Sequence, residues 1–331
     1  MTIPTRRLGA NAPLMPAIGL GCMRMSDIPQ QRTECIATIR AALDSGISFL
    51  DTGDFYGMGH NEMLIGEAIR GRREQAFISV KYGGLRDPAG AFLGFNADYN
   101  ATMSFLAYSL QRLGTDYIDL YQPARIYPHV PFDETMRALT EAVRRGYVRY
   151  IGLSEVGPET IRRATAVHPI VAIEAEYSLM DREIESSVIP AARAAGAGVV
   201  AYGVLTAGLL GGRMGPDTKG DGPRFDGENL RKNLALVERV KVVASDLGAS
   251  PAQLAIAWVL ARGNDILPLI GARSRSRLEE ALGALELKLG PTEMAAIDEA
   301  CPPGELVGDY YGGPVREHIV AERRQRPSGD G

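Results

Sequence analysis

Eight short apolar runs recur along the chain, and nearly all are followed by a stretch with apolar residues at helical spacing. The runs lie at residues 17–20, 48–51, 77–80, 117–121, 148–153, 170–173, 199–202 and 266–270, and their lengths suit core strands. Between them, Ile36, Ile39 and Leu43 share a helical face that Gly46 ends. Met103, Leu106, Leu110 and Leu113 stripe the helix after the third run, and Phe132, Met136, Leu139 and Val143 the helix after the fourth. Further helices are expected at 61–70, from about 158, at 187–195, 229–247, 252–261 and 276–285. This β/α alternation predicts a parallel (β/α)8 barrel of the TIM type, here with a hairpin around 9–13 and additional C-terminal helices. No linker divides the 331 residues, so one domain is expected over 1–331, with a flexible tail over about 318–331.

Two of these runs end on a charge. Asp51 closes the second and Lys81 follows the third, while Tyr56 lies in the loop just after Asp51. A barrel brings successive strand ends onto one rim, where the three side chains can meet. A lysine beside a phenol stabilises the phenolate, an opposite charge at that range shifting a pKa by roughly 1–3 units. Asp51 would then anchor the ammonium, and Tyr56 would serve as a general acid near neutral pH. An ordinary ion pair plus a surface tyrosine is the plainer reading of the same residues.

Composition narrows the partners. A net charge of −4, with 45% hydrophobic and 23% charged residues, gives no reason to expect nucleic acid or an anionic membrane. Cys22, Cys35 and Cys301 are scattered and odd in number, with no zinc spacing, which fits a reduced, cytoplasmic setting. The amino terminus has no secretory apolar segment, and no run approaches the ~20 residues that span a bilayer.

Neither usual dinucleotide or nucleotide loop is present. The stretch Gly19-Leu-Gly21 lacks the third glycine of a Rossmann turn, and Gly203 to Gly208 lacks the lysine of a P-loop. The anion signal comes late, where Arg273, Arg275 and Arg277 alternate after the last strand at a helix start. For Arg275 solvated charge is the expectation. The Gly-rich segment 203–227 is too long for a plain connector and is expected to fold over a ligand.

The motifs Ile18-Gly-Leu-Gly-Cys-Met23, Asp51-Thr-Gly-Asp-Phe-Tyr56-Gly, Lys81-Tyr-Gly, Tyr150-Ile-Gly-Leu-Ser154-Glu and Ile270-Gly-Ala-Arg-Ser-Arg-Ser-Arg277 occur in this order. Together they resemble the aldo-keto reductases over nearly the whole chain. The resemblance implies carbonyl reduction with NADPH and a catalytic group of Asp51, Tyr56 and Lys81. That family usually adds a histidine after the fourth strand, where this chain has Ala124. None of its four histidines, His60, His129, His168 and His318, matches the position. His60, on the rim, is expected to be an exposed residue near a helix start rather than a substitute.

The resemblance also implies cofactor contacts. Gly21, Cys22, Met23 and Asp51 belong to the first strand ends, and Ser154 and Glu174 would face the carboxamide. Tyr202 would stack on the nicotinamide, with Gly203, Leu205 and Gly208 beside it. Gly271, Arg273, Arg277 and Glu280 would hold the adenosine end, Arg277 taking the 2′-phosphate. Glu155 and Glu174 stand where Asn and Gln are common, and an ionised Glu can only accept. On the substrate side, Met23, Phe55, Tyr82, Ala124, Ile126 and Tyr127 suggest a small-molecule carbonyl on an apolar body. Arg125 is expected to point away and form a structural ion pair. Three functions stay open: carbonyl reduction, NADP-dependent oxidation of an alcohol or sugar (or double-bond reduction), and a cofactor-binding regulatory subunit. Oligomeric state is not legible.

Overall fold

The computed structural model describes residues 3–324 apart from 11, 26–30, 213, 219 and 221. An amino-terminal hairpin, β1 (Thr5–Arg7) and β2 (Leu14–Pro16), leads into a closed barrel. Its strands are β3 (Gly19–Gly21), β4 (Phe49–Gly53), β5 (Phe77–Tyr82), β8 (Ile118–Pro123), β9 (Val148–Ser154), β10 (Ile170–Glu176), β11 (Gly198–Tyr202) and β12 (Ile266–Ile270). Every neighbouring barrel pair is parallel. A second hairpin, β6 (Gly84–Arg86) and β7 (Phe92–Phe95), rises from the rim after β5 and carries no sequence signal.

Around the barrel run α1 (Arg32–Asp44), α2 (His60–Ala68), α3 (Tyr99–Leu113), α4 (Phe132–Arg144), α5 (Pro158–Val167), α6 (Val188–Ala194), α7 (Gly227–Asp246), α8 (Pro251–Ala261) and α9 (Arg275–Leu282). Their starts and stops are chemical. Asp98 accepts from the Ala101 amide to cap α3, and Gly114 ends it at φ +65°. Ser250 and Gln253 form a reciprocal capping box on α8, with Pro251 at its first position. Among the described residues no single helix is long and apolar enough to cross a membrane.

Period-two alternation decides what fills the barrel. Phe49, Leu120, Ala172, Val200 and Leu267 form an apolar lower plug, joined from below by Leu8 and Met15 of the hairpin. Gly9 lets the hairpin close this end: a Cβ there would lie 2.6 Å from the Gly196 carbonyl oxygen, at φ +86°. One pleat higher, the inward positions are polar: Asp51, Ser79, Lys81, Gln122 and Glu174, all buried.

Two further helices follow the barrel, α10 (Pro291–Ala300) and α11 (Gly313–Arg324). The flexible tail expected from residue 318 is corrected for 318–324. His318, Ile319 and Glu322 are buried, and the Gly157 amide donates to Glu322 Oε2 at 2.9 Å. Arg323 joins Glu155 at 2.9 Å and Glu183 at 2.6 Å, fastening α11 to the rim. Residues 325–331 lie outside the described ones.

Candidate active site

The polar layer forms a closed ring. Lys81 Nζ lies 2.6 Å from Asp51 Oδ2 and 2.8 Å from Glu174 Oε1. Gln122 Nε2 donates to Glu174 Oε2 at 2.5 Å and to Ser79 Oγ at 3.2 Å, and Ser79 donates to Asp51 Oδ1 at 3.1 Å. Strand register builds this ring, because Asp51 pairs with Ser79 and Lys81 with Gln122. Gly152 leaves the room for it: a Cβ there would sit 2.8 Å from Gln122 Oε1.

Tyr56 stands above the ring, its centroid 5.4 Å from Lys81 Nζ. Burial opposes the charge on Lys81, but Asp51 and Glu174 outweigh it and hold the ammonium well above the ordinary lysine value. Burial and then Asp51 push Glu174 up to about 8 against the pull of Lys81. For Tyr56, burial, reinforced by Asp51 and Glu174, outweighs Lys81, so the phenol titrates above its ordinary value. The lowered phenol expected from the sequence is thereby corrected: the lysine's charge is already balanced by two carboxylates.

A cavity of about 460 Å3 opens over these groups. Asp51, Tyr56, Lys81, Ser154 and Glu174 form its floor, and Gly21, Met23, Phe55 and Ala124 one side. Tyr202, Gly203, Leu205 and Gly208 form another, and Gly271, Arg277 and Glu280 its far end. From the Gly-rich segment, Gly203, Val204, Leu205, Ala207, Gly208 and Gly211 line the cavity, and farther along Arg224 is held by Glu176 at 2.5 Å and Asp181 at 3.0 Å; residues 213, 219 and 221 lie outside the described ones. The Ser154 hydroxyl is buried on the floor with no hydrogen-bond partner among the described residues, an acceptor and donor left for a ligand amide. The residues present thus fit a nicotinamide cofactor at one end and a phosphate at Arg277.

Several expected residues do not line the cavity. Cys22 is fully buried, its thiol directed at the Leu20 carbonyl oxygen. Arg273 lies outside the wall, and Arg275 is exposed, as expected, its charge paired at the surface with Glu34 at 3.0 Å. Tyr82 is fully buried behind β5, stacked on Tyr121 at 4.2 Å and accepting from Thr102. Ile126 belongs to the core between barrel and helices, and Tyr127 stacks on His318 at 4.7 Å. His60 is half-buried rather than exposed, and outside the wall. Glu174 faces the cavity, but its oxygens are taken by Lys81 and Gln122, not left for a carboxamide.

Arg125 is the main correction. It is 5% exposed, lines the cavity, and makes no ion pair among the described residues. One guanidinium nitrogen donates to the Ala124 carbonyl oxygen at 2.5 Å, Nε has no partner, and Phe95 and Tyr311 flank it. Strand alternation misplaced it because β8 ends at Pro123. Phe95, Tyr310 and Tyr311 also line the cavity. They come from a rim hairpin and the C-terminal segment, neither of which has a period to read. Glu155 adopts φ +53°, a left-handed conformation that suits Asn better than Glu. Tyr202 donates to it at 2.7 Å.

A (β/α)8 barrel thus gathers a tyrosine, a lysine and two carboxylates beside one cavity at the carboxyl ends of its strands. Comparison with known proteins gives the family: the Aldo/keto reductase family model matches residues 17–301, and the chain belongs to that family of oxidoreductases. It is 39% identical over 325 residues to aldo-keto reductase yakc (NADP+) of Schizosaccharomyces pombe, covering 94% of this chain and 95% of that one. It is 38% identical over 319 residues to probable aldo-keto reductase 1 of Glycine max, covering 93% and 92%. Among solved structures, the glycerol dehydrogenase of Gluconobacter oxydans superposes with a TM-score of 0.82 at 27% identity, over 93% of this chain and 99% of that one. An aldo-keto reductase of Klebsiella pneumoniae in complex with NADPH gives 0.75 at 28% identity, over 92% and 96%.

Proposed function

We propose that this chain, acting as one barrel domain, reduces an aldehyde or ketone to an alcohol with NADPH, Tyr56 donating the proton. The observation that carries the reading is the Lys81 ammonium, clamped by Asp51 and Glu174 beneath the Tyr56 ring on the floor of the cavity. The NADPH-bound neighbour and the NADP+ relative support the cofactor. Ser154 would hold the carboxamide, Tyr202 the ring face, and Arg277 the 2′-phosphate, with Glu280 beside it. Bound there, the nicotinamide supplies a hydride to the carbonyl carbon.

The carbonyl oxygen gains negative charge as the hydride arrives. Tyr56 gives it the phenolic proton, and Lys81 stabilises the phenolate left behind. A phenol held above its ordinary value is fully protonated at neutral pH. It yields its proton only to a stronger base, which is what a forming alkoxide is. The apolar side of the cavity keeps competing water from that oxygen.

NADPH consumption against aldehydes, ketones and sugars tests this. Wild type should turn over at least one carbonyl, and Tyr56→Phe should lose about 10²-fold or more in kcat while keeping NADPH affinity. Undiminished turnover in Tyr56→Phe would remove Tyr56 from the chemistry. The glycerol dehydrogenase likeness favours including polyols with NADP+, the same geometry run in reverse.

A further inference from the structure

One buried cation on the cavity wall has no ion-pair partner among the described residues. The carboxylates of the wall are already engaged: Asp51 and Glu174 share Lys81, Glu176 shares Arg224 with Asp181, and Glu280 has Arg277. The unpaired cation is Arg125, only 5% exposed. The carboxylate that most influences it, Glu155, is committed to Arg323 and to the Tyr202 hydroxyl. A guanidinium keeps its charge at any working pH. Burying it without a counter-ion costs several kcal/mol.

We propose that Arg125 binds a carboxylate carried by the substrate, so that the carbonyl reduced here belongs to an aldehyde acid or keto acid. This rests on reading the cavity as a carbonyl-reducing site. The arginine follows Ala124 directly, and the small Ala124 side chain leaves room beside it where a substrate can approach. The rings of Phe95, 5.6 Å from its guanidinium carbon, and Tyr311, at 5.2 Å, pack about the fork, and the Tyr311 side chain also accepts a hydrogen bond from it, a contact a bound carboxylate would share or displace. A planar fork matches a carboxylate two atoms to two. Arg86, exposed on the same wall, adds positive field that steers an anion inward. The apolar contribution of Met23, Phe55 and Phe95 suits a substrate whose body between carbonyl and carboxylate is hydrocarbon.

The test compares 4-carboxybenzaldehyde with its methyl ester, using NADPH and the intact protein. The acid should exceed the ester by about tenfold or more in kcat/KM, mostly through KM. Arg125→Gln should bring the ratio of the two near one. Arg125→Lys, which keeps the charge and loses the fork, should fall between. An acid no better than the ester in the wild type overturns the proposal and leaves carbonyl reduction standing.

Binding without turnover separates the two readings. Benzoate should raise the melting temperature of the wild type and not that of Arg125→Gln, whether or not any aldehyde is reduced. Equal shifts in both proteins, or none in the wild type, overturn the site. Tighter binding of benzenephosphonate than of benzoate overturns the choice of a carboxylate. A merely structural arginine predicts the opposite stability pattern: Arg125→Gln would melt well below the unliganded wild type, whereas removal of an unbalanced buried charge should not lower it.

Discussion

Lys81 Nζ lies 2.8 Å from Glu174 Oε1, so the lysine beneath the phenol serves two buried carboxylates rather than one. If both carboxylates ionise, the cluster carries a net negative charge and opposes a phenolate on Tyr56. If Glu174 holds its proton, the cluster is neutral and Glu174 resembles the Gln that is common at its position. Burial and Asp51 favour the second state, pushing Glu174 up to about 8.

This makes stability depend on pH with a definite sign. In the unfolded chain Glu174 ionises near its ordinary value, whereas the folded protein keeps the proton up to about 8. Between those values the folded state binds more protons, so stability falls as pH rises across that window. Glu176, pushed up to about 7 by burial and Asp181, and Asp54, up to about 8 by burial and Glu62, act in the same direction. Urea unfolding as a function of pH should show the wild type losing stability across that window. Glu174→Gln should show a shallower decline. Parallel profiles would mean that Glu174 ionises normally in the folded protein.

Removing the lysine should cost stability as well as chemistry. Lys81→Met leaves Asp51 and Glu174 buried together with no cation between them, a loss of about 3–5 kcal/mol. Adding Glu174→Gln should restore part of that stability without restoring turnover, because Tyr56 still lacks its ammonium. Denaturant midpoints of the three variants check this. A double variant no more stable than Lys81→Met would contradict the shared clamp.

Cofactor preference should reside at the far end of the cavity. Arg277 is paired to Glu280 at 2.7 Å, and both are partly exposed, so that pair is weak and yields readily to a phosphate. A charge-assisted contact to the 2′-phosphate is worth about 1.5–3 kcal/mol. Fluorescence titration should therefore find NADPH bound more tightly than NADH, with most of the difference lost in Arg277→Ala. Equal affinities in the wild type would remove Arg277 from cofactor selection.

Much of this architecture was legible in the sequence, for a physical reason. Strands buried on both faces read as unbroken apolar runs, so residues 266–270 emerge with the same limits as β12. Asp51 and Lys81 stood out because each ends such a run. Tyr82 was misplaced although alternation from Ser79 and Lys81 already turns it outward. Arg125 differs the other way: it lies beyond Pro123, where strand pairing stops and alternation no longer fixes which side a residue faces. The Lys81–Glu174 contact was not legible, because it spans the barrel and depends on how β5, β8 and β10 close. Tyr310 and Tyr311 were missed because their segment is held by remote pairs, such as Arg316 with Glu183, that leave no local pattern.

Ala124 offers the most direct test of how the site differs from family members that carry a histidine there. It is 1% exposed, held by its amide to the Tyr82 carbonyl oxygen at 2.8 Å, and its side chain meets the cavity next to Arg125. Ala124→His would place a hydrogen-bond donor near the carbonyl oxygen, where it gains strength as charge develops. Reduction of a small neutral aldehyde such as nitrobenzaldehyde should rise, mainly in kcat. The imidazole would also fill the space that a carboxylate needs to reach Arg125, so reduction of 4-carboxybenzaldehyde should fall, mainly through KM. Opposite movements on the two substrates are the expected signature, read by steady-state kinetics of wild type and variant side by side. A gain on both would mean that the carboxylate lies elsewhere. No change on either would mean that Ala124 does not face the reacting carbonyl.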